Sequence, residues 1–383
     1  MSARERAIDT FLERAGWTSA RRAALAGDAS ARRYERITKA GATAVLMDAP
    51  IEPGEAQSSG AAPARATGYS ATARLAVDCR PFVAVSSHLV TRGLSAPAVY
   101  SHAIGEGLLL LEDLGDDLFV RLLGDARDLD VERKFYQTAV DLLAILHREP
   151  VPTVLQLPGH ETYAVPRYDA SVYQIEADLL IDWYFPALAG RAVNEGERAA
   201  YHAAWGKVLP LLEGSREVLT LRDFHAGNLL WLATRRGVRR VGLLDFQDAL
   251  IGHPAYDLVS LLQDARRDVS PALQSDMLER YIRRSRRRRL LRFNEAEFRR
   301  AYAILGVQRN AKIVGIFTRL SKRDGKPVYL AHMPRVWRYL NAGLAHPALQ
   351  PLADWFDAMI PRSARLASVE HDPRFAPPVR VAS

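Results

Sequence analysis

Residues 219–232, LTLRDFHAGNLLWL, contain a short polar loop between two apolar runs. The loop carries Asp223, His225 and Asn228 and is followed at once by LLWL, an apolar run typical of a strand. A basic turn that contains glycine then leads to a second apolar run, VGLLDF, which includes Asp245. This order predicts a β-hairpin with a polar loop at each of its ends.

The predicted hairpin brings its two ends side by side, so we expect Asp223, Asn228 and Asp245 to lie close together. Carboxylate and amide oxygens are ligands that Mg²⁺ prefers, and protein-bound Mg²⁺ usually bridges to substrate phosphates. Phosphoryl transfer uses one carboxylate to orient the attacking hydroxyl and accept its proton, and an Asn and an Asp to hold the metal. The spacing agrees, because Asp223 and Asn228 fit the D-x-x-x-x-N of a kinase catalytic loop and Asp245-Phe246 fits the start of D-F-G.

The motifs RDFHAGNLLWL and GLLDFQDALIGHPAYDLVSLLQDARRDV resemble those of the aminoglycoside phosphotransferase-like superfamily. Within it, the chain is similar to the bacterial anomeric N-acetylmuramate/N-acetylglucosamine kinases of cell-wall recycling, because five further segments match in the same order: GDASARRYERI, AVLMDAP, PFVAVSSHLVTRGLSAP, LLLLEDLGDDLF and IDWYFP. The resemblance covers nearly the whole chain. It implies an α+β fold, two-lobed and protein-kinase-like, and a kinase that uses ATP and Mg²⁺ to phosphorylate the anomeric hydroxyl of a small amino sugar.

The resemblance also implies a role for individual residues. Asp223 corresponds to the catalytic base, and Asn228 and Asp245 correspond to the metal ligands. Asp257 matches a buried carboxylate that braces the catalytic loop. For His225, two interpretations are open. It either has a functional role, as support of that loop or as a substrate contact, or it is an ordinary hydrogen-bonded loop histidine. The resemblance places a nucleotide-phosphate loop at Gly27, Asp28 and Ser30, although these residues could also form an ordinary hairpin turn. It places the hinge that faces adenine at Glu112 and Leu114.

One position departs from the kinase pattern. Kinases place a lysine on the third strand against the nucleotide phosphates, but the matching residue here is Met47, with no lysine nearby. Either the charge comes from elsewhere, with Arg32 and Arg33 the nearest candidates, or this lobe binds nucleotide weakly or not at all. Because preorganised charge is usually the largest catalytic contribution, an active enzyme needs a replacement cation.

Six further residues are candidates for contacting the sugar. Aromatic side chains can pack on the faces of sugar rings, although on an apolar helix they more often belong to the core. Basic side chains are suited to the lactyl carboxylate of muramic acid, because charge-assisted contacts are strong. The candidates are Asp182, Trp183, Tyr184, Gln247, Arg309 and Lys312.

The sequence patterns change from mainly those of short strands to mainly those of helices near residue 116. Residues 1–115 contain short strand patterns with one or two helices and are predicted to form the nucleotide-binding lobe, with a flexible Gly/Ala/Ser/Pro-rich insertion at 52–72. Residues 116–360 are mostly amphipathic helices and are predicted to form the catalytic and substrate lobe. In one of them, DVERKFYQTAVDLLAILHREP, Asp130 is the expected N-cap. Residues 361–383 are predicted to be a loosely ordered tail.

Composition narrows the class of protein. With 383 residues, 48% of them hydrophobic, the chain is long enough for two lobes with their own cores. The single cysteine, Cys79, excludes an internal disulfide. The N-terminus lacks the apolar segment of a secretory signal, and no apolar run approaches the roughly 20 residues that span a bilayer. We therefore expect a cytoplasmic monomer whose partner is a small molecule and which does not bind membranes.

The net charge of +8 and the run RRSRRRR at 283–289 raise the question of nucleic-acid binding. We interpret the run as the solvated end of a helix, where cations suit the negative end of the dipole, because no zinc spacing, helix-turn-helix pattern or interleaved aromatics accompany it.

Two alternative functions of the protein remain open. One is a kinase of the same fold acting on an aminoglycoside or another small hydroxyl compound, which an acidic substrate pocket would favour. The other is a non-catalytic nucleotide- or RNA-binding relative, which salt-sensitive RNA binding without turnover would favour.

Overall fold

The structure is a computed structural model that describes residues 2–25, 32–50, 68–124, 128–148, 153–286 and 293–377. The strands in these ranges are β1 Arg21–Ala24, β2 Arg33–Lys39, β3 Ala42–Asp48, β4 Val99–Ala103, β5 Leu108–Glu112, β6 Val154–Gln156, β7 Thr162–Ala164, β8 Val218–Thr220, β9 Leu229–Trp231, β10 Val241–Leu243 and β11 Leu250–Gly252. The α-helices are α1 Ala3–Arg14, α2 Gly68–Thr72, α3 Arg80–Thr91, α4 Phe119–Leu123, α5 Leu129–Leu146, α6 Ala170–Leu179, α7 Phe185–Ala189, α8 Glu195–Val208, α9 Ala255–Leu262, α10 Pro271–Arg286, α11 Glu295–Lys322, α12 Met333–Leu344, α13 Gln350–Met359 and α14 Arg362–Leu366.

The chain divides into two compact units, each assembled from three segments. The strand unit contains Met1–Leu142, Val151–Pro166 and Leu221–Leu250, and the helical unit contains Leu143–Pro150, Arg167–Thr220 and Ile251–Ser383. The lobe boundaries near residues 115 and 360 stay a prediction.

The strand unit is built on a five-stranded sheet with the order β1-β2-β3-β5-β4, in which all neighbours are antiparallel. Helix α1 covers one face of this sheet. The apolar side chains that join the helix to the sheet are Ile8, Phe11, Leu12, Ile37, Ala44, Leu46, Leu108 and Leu110. Neighbouring side chains on a strand point to opposite faces, and all four leucines of LLLLE in β5 are buried. Both faces of β5, which lies between β3 and β4, are therefore covered, and this explains its unbroken apolar run.

The predicted hairpin is present as β9 and β10, which pair antiparallel with Trp231 opposite Val241. The Trp231 ring stacks on Phe135 with centroids 4.1 Å apart. The main-chain N–H of Trp231 donates to the Asp117 carbonyl at 2.7 Å, and that of Leu243 donates to the Ser95 carbonyl at 2.8 Å. The hairpin is thus held on both strands by other segments of the strand unit.

The N-terminus of α5 differs from the prediction. The carboxylate of Asp128 accepts hydrogen bonds from the main-chain N–H groups of Asp130 and Val131 at 3.0 and 3.1 Å. Asp128 therefore caps the helix, and the prediction of Asp130 was wrong by two positions, because the N–H of Asp130 is itself one of the groups that need a cap.

Three segments with weak sequence patterns, the insertion, the arginine run and the tail, compare differently with their predictions. Residues 52–67 of the predicted insertion lie outside the described residues, and Gly68–Thr72 forms α2. Of the arginine run, Arg283, Arg284 and Arg286 are exposed at the end of α10, and the remainder lies outside the described residues. The predicted tail begins with helix α14, and Phe375 is fully buried against Tyr184. Phe375 is therefore an apolar anchor for the described part of the predicted tail, residues 361–377, and the loose order of the tail as a whole stays a prediction.

Helix α11 is the centre of the helical unit and contacts α6, α9 and α12. It approaches the end of α6 closely at Gly315, where a Cβ atom would lie 2.2 Å from the carbonyl carbon of Leu179. Strands β8 and β11 form a separate two-stranded sheet. Within the part of the chain that the structure describes, no helix is both long and apolar enough to cross a membrane.

His253, just before α9, predicts a pH-dependent stability. Its Nδ1 accepts the main-chain N–H of Ala255 at 3.0 Å, and burial, with a smaller contribution from repulsion by His147, lowers its pKa to about 3. The unfolded chain binds this proton below about pH 6.5 and the folded chain does not, so the contribution of His253 to stability should fall by about 2 kcal/mol between pH 7 and pH 5. Urea unfolding at both pH values measures this loss. His253→Asn keeps an acceptor for Ala255 and should lose less stability over the same interval; an equal loss in both proteins would contradict the assignment.

Candidate active site

The structure brings Asp223, Asn228 and Asp245 together at the ends of the hairpin. The side-chain Nδ2 of Asn228 lies 3.3 Å from the Asp245 carboxylate and donates to the main-chain oxygen of Asp223 at 3.1 Å. Asp223 itself is half-buried, so its carboxylate is accessible to a ligand. The polar loop before β9 and the loop after β10 thus form one cluster of oxygen atoms within the strand unit.

The backbone on both sides of this cluster is strained. Arg222 and Asp245 have φ values of 68° and 56°, in the left-handed region that non-glycine residues rarely adopt. Each such residue costs on the order of 1–3 kcal/mol and persists only where the surroundings impose it, which happens most often at functional sites.

Two residues that the sequence analysis did not single out hold this strained backbone. The buried guanidinium of Arg222 donates to the carbonyl oxygens of Ala73 and Asp248, at 3.1 and 3.4 Å. The Asp248 carboxylate accepts the main-chain N–H of Ala76 at 2.6 Å. Both residues flank a predicted site residue and are charged within an apolar stretch, and this was the signal available in the sequence. They join residues 73–76 to the two loops of the cluster.

Asp245 has a pKa raised to about 6, because burial disfavours its charge and Asp223, and more weakly Asp248, repel it. A hydrogen bond from Gln247 Nε2 at 2.7 Å and Arg32 Nη1 at 3.7 Å oppose this effect. The Asp245 side chain still exposes 43% of its surface. The carboxylates are therefore crowded yet reachable, and a bound cation would relieve their repulsion.

The donors in this cluster fit Mg²⁺. Asn228 offers an amide and Asp245 a carboxylate, both hard oxygen ligands. Within the described ranges, no group of three or more His, Cys, Asp and Glu side chains could hold a metal without other ligands. A metal here would rest on two side chains and complete its shell with water and phosphate oxygens, as Mg²⁺ usually does.

The third strand carries no cation, as the sequence indicates. Met47 is buried in β3 opposite Tyr34 and Leu109. Of the two candidate replacements, Arg32 lies beside Asp245, whereas Arg33 is 70% exposed and its Nε lies 3.7 Å from Asp48. Arg32 is the better placed of the two for a role near the cluster.

The other predicted nucleotide-binding residues are only partly described. Gly27, Asp28 and Ser30 lie outside the described residues. The Glu112 carboxylate pairs with Arg235 at 2.5 Å and the Glu112 N–H donates to the Ala98 carbonyl at 2.8 Å. Leu114 follows β5 and is half-buried, with its side chain packed over Gly242 of the hairpin.

The two residues predicted to support the catalytic loop lie in different units. His225 Nδ1 accepts the N–H of Gly227 at 3.2 Å, and His225 Nε2 lies 3.4 Å from the Asn228 amide, so this histidine ties the loop to a proposed metal ligand. Asp257 is fully buried in the helical unit, with one carboxylate oxygen 3.8 Å from His147 Nε2. Its predicted bracing of the catalytic loop stays a prediction.

The candidates for sugar binding have varied surroundings. Tyr184 is fully buried against Trp337 and Phe375 and is a core residue, which corrects the expectation that it lines a pocket. Asp182 is ion-paired with Arg198 at 2.6 Å, and Trp183 is half-buried beside it. Gln247 is buried, and its bond to Asp245 makes it a support for that carboxylate.

Arg309 and Lys312 lie on α11 and are both buried. Arg309 donates to the Tyr256 hydroxyl at 3.3 Å and stands over the Tyr256 ring. Lys312 Nζ donates to the fully buried carboxylate of Glu176 at 2.7 Å. Their charges thus have partners inside the helical unit, which disfavours the predicted contact with a lactyl carboxylate.

Kinases from two bacteria are similar to this chain over most of its length. The chain is 40% identical to the N-acetylmuramate/N-acetylglucosamine kinase of Caulobacter vibrioides over 370 residues, which cover 95% of this chain and 99% of the relative. A kinase of the same name from Pseudomonas aeruginosa is 33% identical, with 88% of each chain covered.

Solved structures confirm the predicted fold class. An aminoglycoside phosphotransferase in complex with GDP and kanamycin superposes with a TM-score of 0.53 at 13% identity, covering 91% of this chain and 99% of that one. A second aminoglycoside phosphotransferase, bound to ADP, also gives 0.53, at 12% identity, covering 93% and 99%. Residues 22–292 match the phosphotransferase enzyme family, and this chain is a member of that family.

Proposed function

We propose that the protein is an ATP-dependent sugar kinase that phosphorylates the anomeric hydroxyl of N-acetylmuramate or N-acetylglucosamine. The observation that carries the proposal is the 40% identity to the Caulobacter kinase of that name over nearly the full length of both chains. A match of this extent includes the hairpin cluster as well as the helical unit, so it supports a shared acceptor as well as a shared reaction.

Asp223 has the role of general base in this proposal. Its carboxylate accepts the proton of the anomeric hydroxyl while the sugar oxygen bonds to the γ-phosphorus and the bond to ADP breaks. Arg222 and the left-handed backbone keep Asp223 in place, so that the carboxylate needs little reorganisation. Asn228 and Asp245 would hold Mg²⁺, which when bound neutralises charge on the phosphate oxygens.

Arg32 supplies the cation that the third strand lacks, and the adenine falls on the segment of Glu112 and Leu114. The phosphate loop of Gly27, Asp28 and Ser30 remains part of the proposal by its match to the family pattern. Because the Glu112 N–H already bonds to Ala98, we infer that Leu114 makes the main-chain contact with adenine.

Replacing Arg32 by Met should lower kcat/KM for ATP by roughly 10- to 100-fold, because a charge-assisted hydrogen bond to phosphate contributes about 1.5–3 kcal/mol. Arg33→Met is the matched control, since it removes the same charge from the neighbouring, exposed side chain, and should stay near wild type. Initial rates at varied ATP with saturating sugar measure both effects. Equal losses in the two variants, or none in Arg32→Met, would remove Arg32 from the proposal.

The activity is tested by coupled ADP release with N-acetylmuramate, N-acetylglucosamine and an aminoglycoside as acceptors, with phosphorus NMR of the product. We expect turnover with the amino sugars, an anomeric phosphate as product, loss of turnover in EDTA and recovery with Mg²⁺. Turnover with the aminoglycoside alone would replace the acceptor in the proposal, and turnover with none of them would reject the kinase assignment for these acceptors.

We also propose that the enzyme acts as a cytoplasmic monomer in cell-wall recycling and binds neither membranes nor nucleic acid. The described arginines at the end of α10 are exposed, which supports their interpretation as a solvated helix end. Sedimentation analysis tests the monomeric state, and an RNA-binding assay at low salt tests the absence of nucleic-acid binding.

A further inference from the structure

One guanidinium group of the strand unit holds the segment that follows β5. In β2, Arg36 donates from Nε and Nη2 to the two carboxylate oxygens of Asp113, at 2.7 and 3.0 Å. The same side chain donates from Nη1 and Nη2 to the two carboxylate oxygens of Asp116, at 2.7 and 3.1 Å. Because a planar guanidinium fixes the direction of its hydrogen bonds as well as their length, both aspartates are tied to one point of the sheet.

The chain between these two aspartates has few hydrogen bonds of its own. Strand β5 ends at Glu112, and no described residue forms a hydrogen bond with the main-chain N–H or C=O of Leu114. The N–H of Gly115, whose φ is 86°, donates to the Asp113 carboxylate at 3.0 Å. The turn that encloses Leu114 is thus closed by a side chain that Arg36 holds, and the main-chain groups of Leu114 stay available to a ligand.

Burial makes Asp113 the more important partner of Arg36. The Asp113 side chain exposes 8% of its surface, that of Arg36 24% and that of Asp116 56%. Burial raises the pKa of Asp113, but the hydrogen bonds from Arg36 and from the Gly115 N–H lower it by more, so this carboxylate is charged at neutral pH. A buried charge needs a partner, and exposed ion pairs contribute little. Arg36 therefore fixes the turn mainly through Asp113.

A second arginine of the same sheet makes a similar set of bonds with a different target. In β1, Arg22 donates to both carboxylate oxygens of Glu35 at 2.6 and 3.1 Å, and to Glu5 at 3.1 Å. These partners lie in β2 and α1, which main-chain hydrogen bonds and apolar contacts also hold. Because Glu35 and Arg36 are neighbours in a strand, their side chains point to opposite faces of the sheet. Of the two arginines, Arg36 is the one that holds a segment outside the helices and strands.

We propose that Arg36 is a positioning residue for the adenine base, because its bonds to Asp113 and Asp116 fix the turn that presents the main chain of Leu114. This inference rests on the proposed function, from which it takes the contact between Leu114 and adenine. A base is recognised by main-chain groups only where their spacing and direction are set before the ligand arrives. Arg36 supplies this order at a position that does not touch the nucleotide.

Equilibrium binding of adenosine and of ATP to the full-length protein, without sugar, tests the proposal. Arg36→Lys keeps a cation beside Asp113 but cannot span two carboxylates, so it should stay folded and bind adenosine roughly 3- to 30-fold more weakly. Binding of ATP should weaken by the same factor, since both ligands share the base. Arg32→Met should instead weaken the binding of ATP and leave that of adenosine unchanged.

Arg22→Met is the matched control, because it removes an arginine with the same kind of partners from the other face of the sheet and should bind both ligands as the wild type does. Urea unfolding of each variant checks that it is folded under the binding conditions. Wild-type adenosine affinity in folded Arg36→Lys, a loss confined to ATP, or an equal loss in Arg22→Met overturns the proposal alone. A wild type that binds neither ligand rejects the nucleotide site of the proposed function, and this inference with it.

Discussion

Replacing Asp223 by Asn should lower kcat by roughly 100- to 10,000-fold, the range that general-base removal typically costs. The amide keeps the shape of the side chain but cannot accept the proton of the sugar hydroxyl. His225 and Asn228 bond to the backbone of the loop, and Arg222 joins the loop to the carbonyl oxygens of Ala73 and Asp248, so the loop should keep its conformation. Binding of ATP and thermal stability should therefore change little.

The measurement is single-turnover and steady-state phosphorylation of N-acetylglucosamine by the wild type and Asp223→Asn, with nucleotide binding measured in parallel. Asp130→Asn makes the same chemical change at an exposed helix start and should retain full activity. If Asp223→Asn kept near-full activity, Asp223 could not be the base. If it lost ATP binding to the same extent as kcat, Asp223 would hold the nucleotide instead.

Replacing Lys312 by Met should destabilise the protein by about 3–5 kcal/mol, because it leaves the carboxylate of Glu176 buried without its cation. The Tyr168 hydroxyl and Gln308 Nε2 also bond to Glu176, so the loss would disturb a network that joins α6 to α11. Urea unfolding of the wild type and the variant measures the change in the free energy of unfolding. Lys207→Met, on the exposed face of α8, is the control and should stay within about 0.5 kcal/mol of wild type.

The double variant Lys312→Met/Glu176→Gln should recover part of this loss, since it removes the buried charge as well as its partner. The same proteins test the earlier expectation that Lys312 binds the lactyl carboxylate. That role would raise KM for N-acetylmuramate and leave KM for N-acetylglucosamine and the stability unchanged. A stable Lys312→Met protein with such a split would contradict the ion pair as its main function.

The hairpin and its cluster were predictable because the signal is local. The polar residues lie within a few positions of short strands, and antiparallel pairing alone brings their ends together. The sequence limited the candidates for the cation beside the cluster to Arg32 and Arg33 but did not choose between them. Which of the two side chains points toward the cluster depends on where β2 begins. The geometry of Arg222 was also hidden, since its left-handed backbone follows from bonds to Ala73 and Asp248, which are distant in sequence.

The polar run in α11 shows where sequence reasoning fails. Gln308, Arg309, Asn310 and Lys312 are too close together to share one solvated face of a helix, yet all are buried. Their partners, such as Glu176, Tyr256 and Gln263, come from other elements, and no period within α11 encodes them. Charge in this helix therefore suggested a ligand, whereas the structure pairs it internally. The burial of Tyr184 has the same origin, because Trp337 and Phe375 lie more than 150 residues away.

The assembly of the strand unit from three separated segments has a consequence for synthesis on the ribosome. Its sheet and α1 are complete once residue 112 has emerged, but the hairpin that bonds to Ser95 and Asp117 ends only at Leu243. At translation rates of about 5–20 residues per second, the nascent sheet waits roughly 7–26 s for this partner. During that interval the carbonyl groups of Ser95 and Asp117 lack their partners in the hairpin, so we expect the growing chain to depend on chaperones, and slower translation before residue 243 to lower the yield of folded protein.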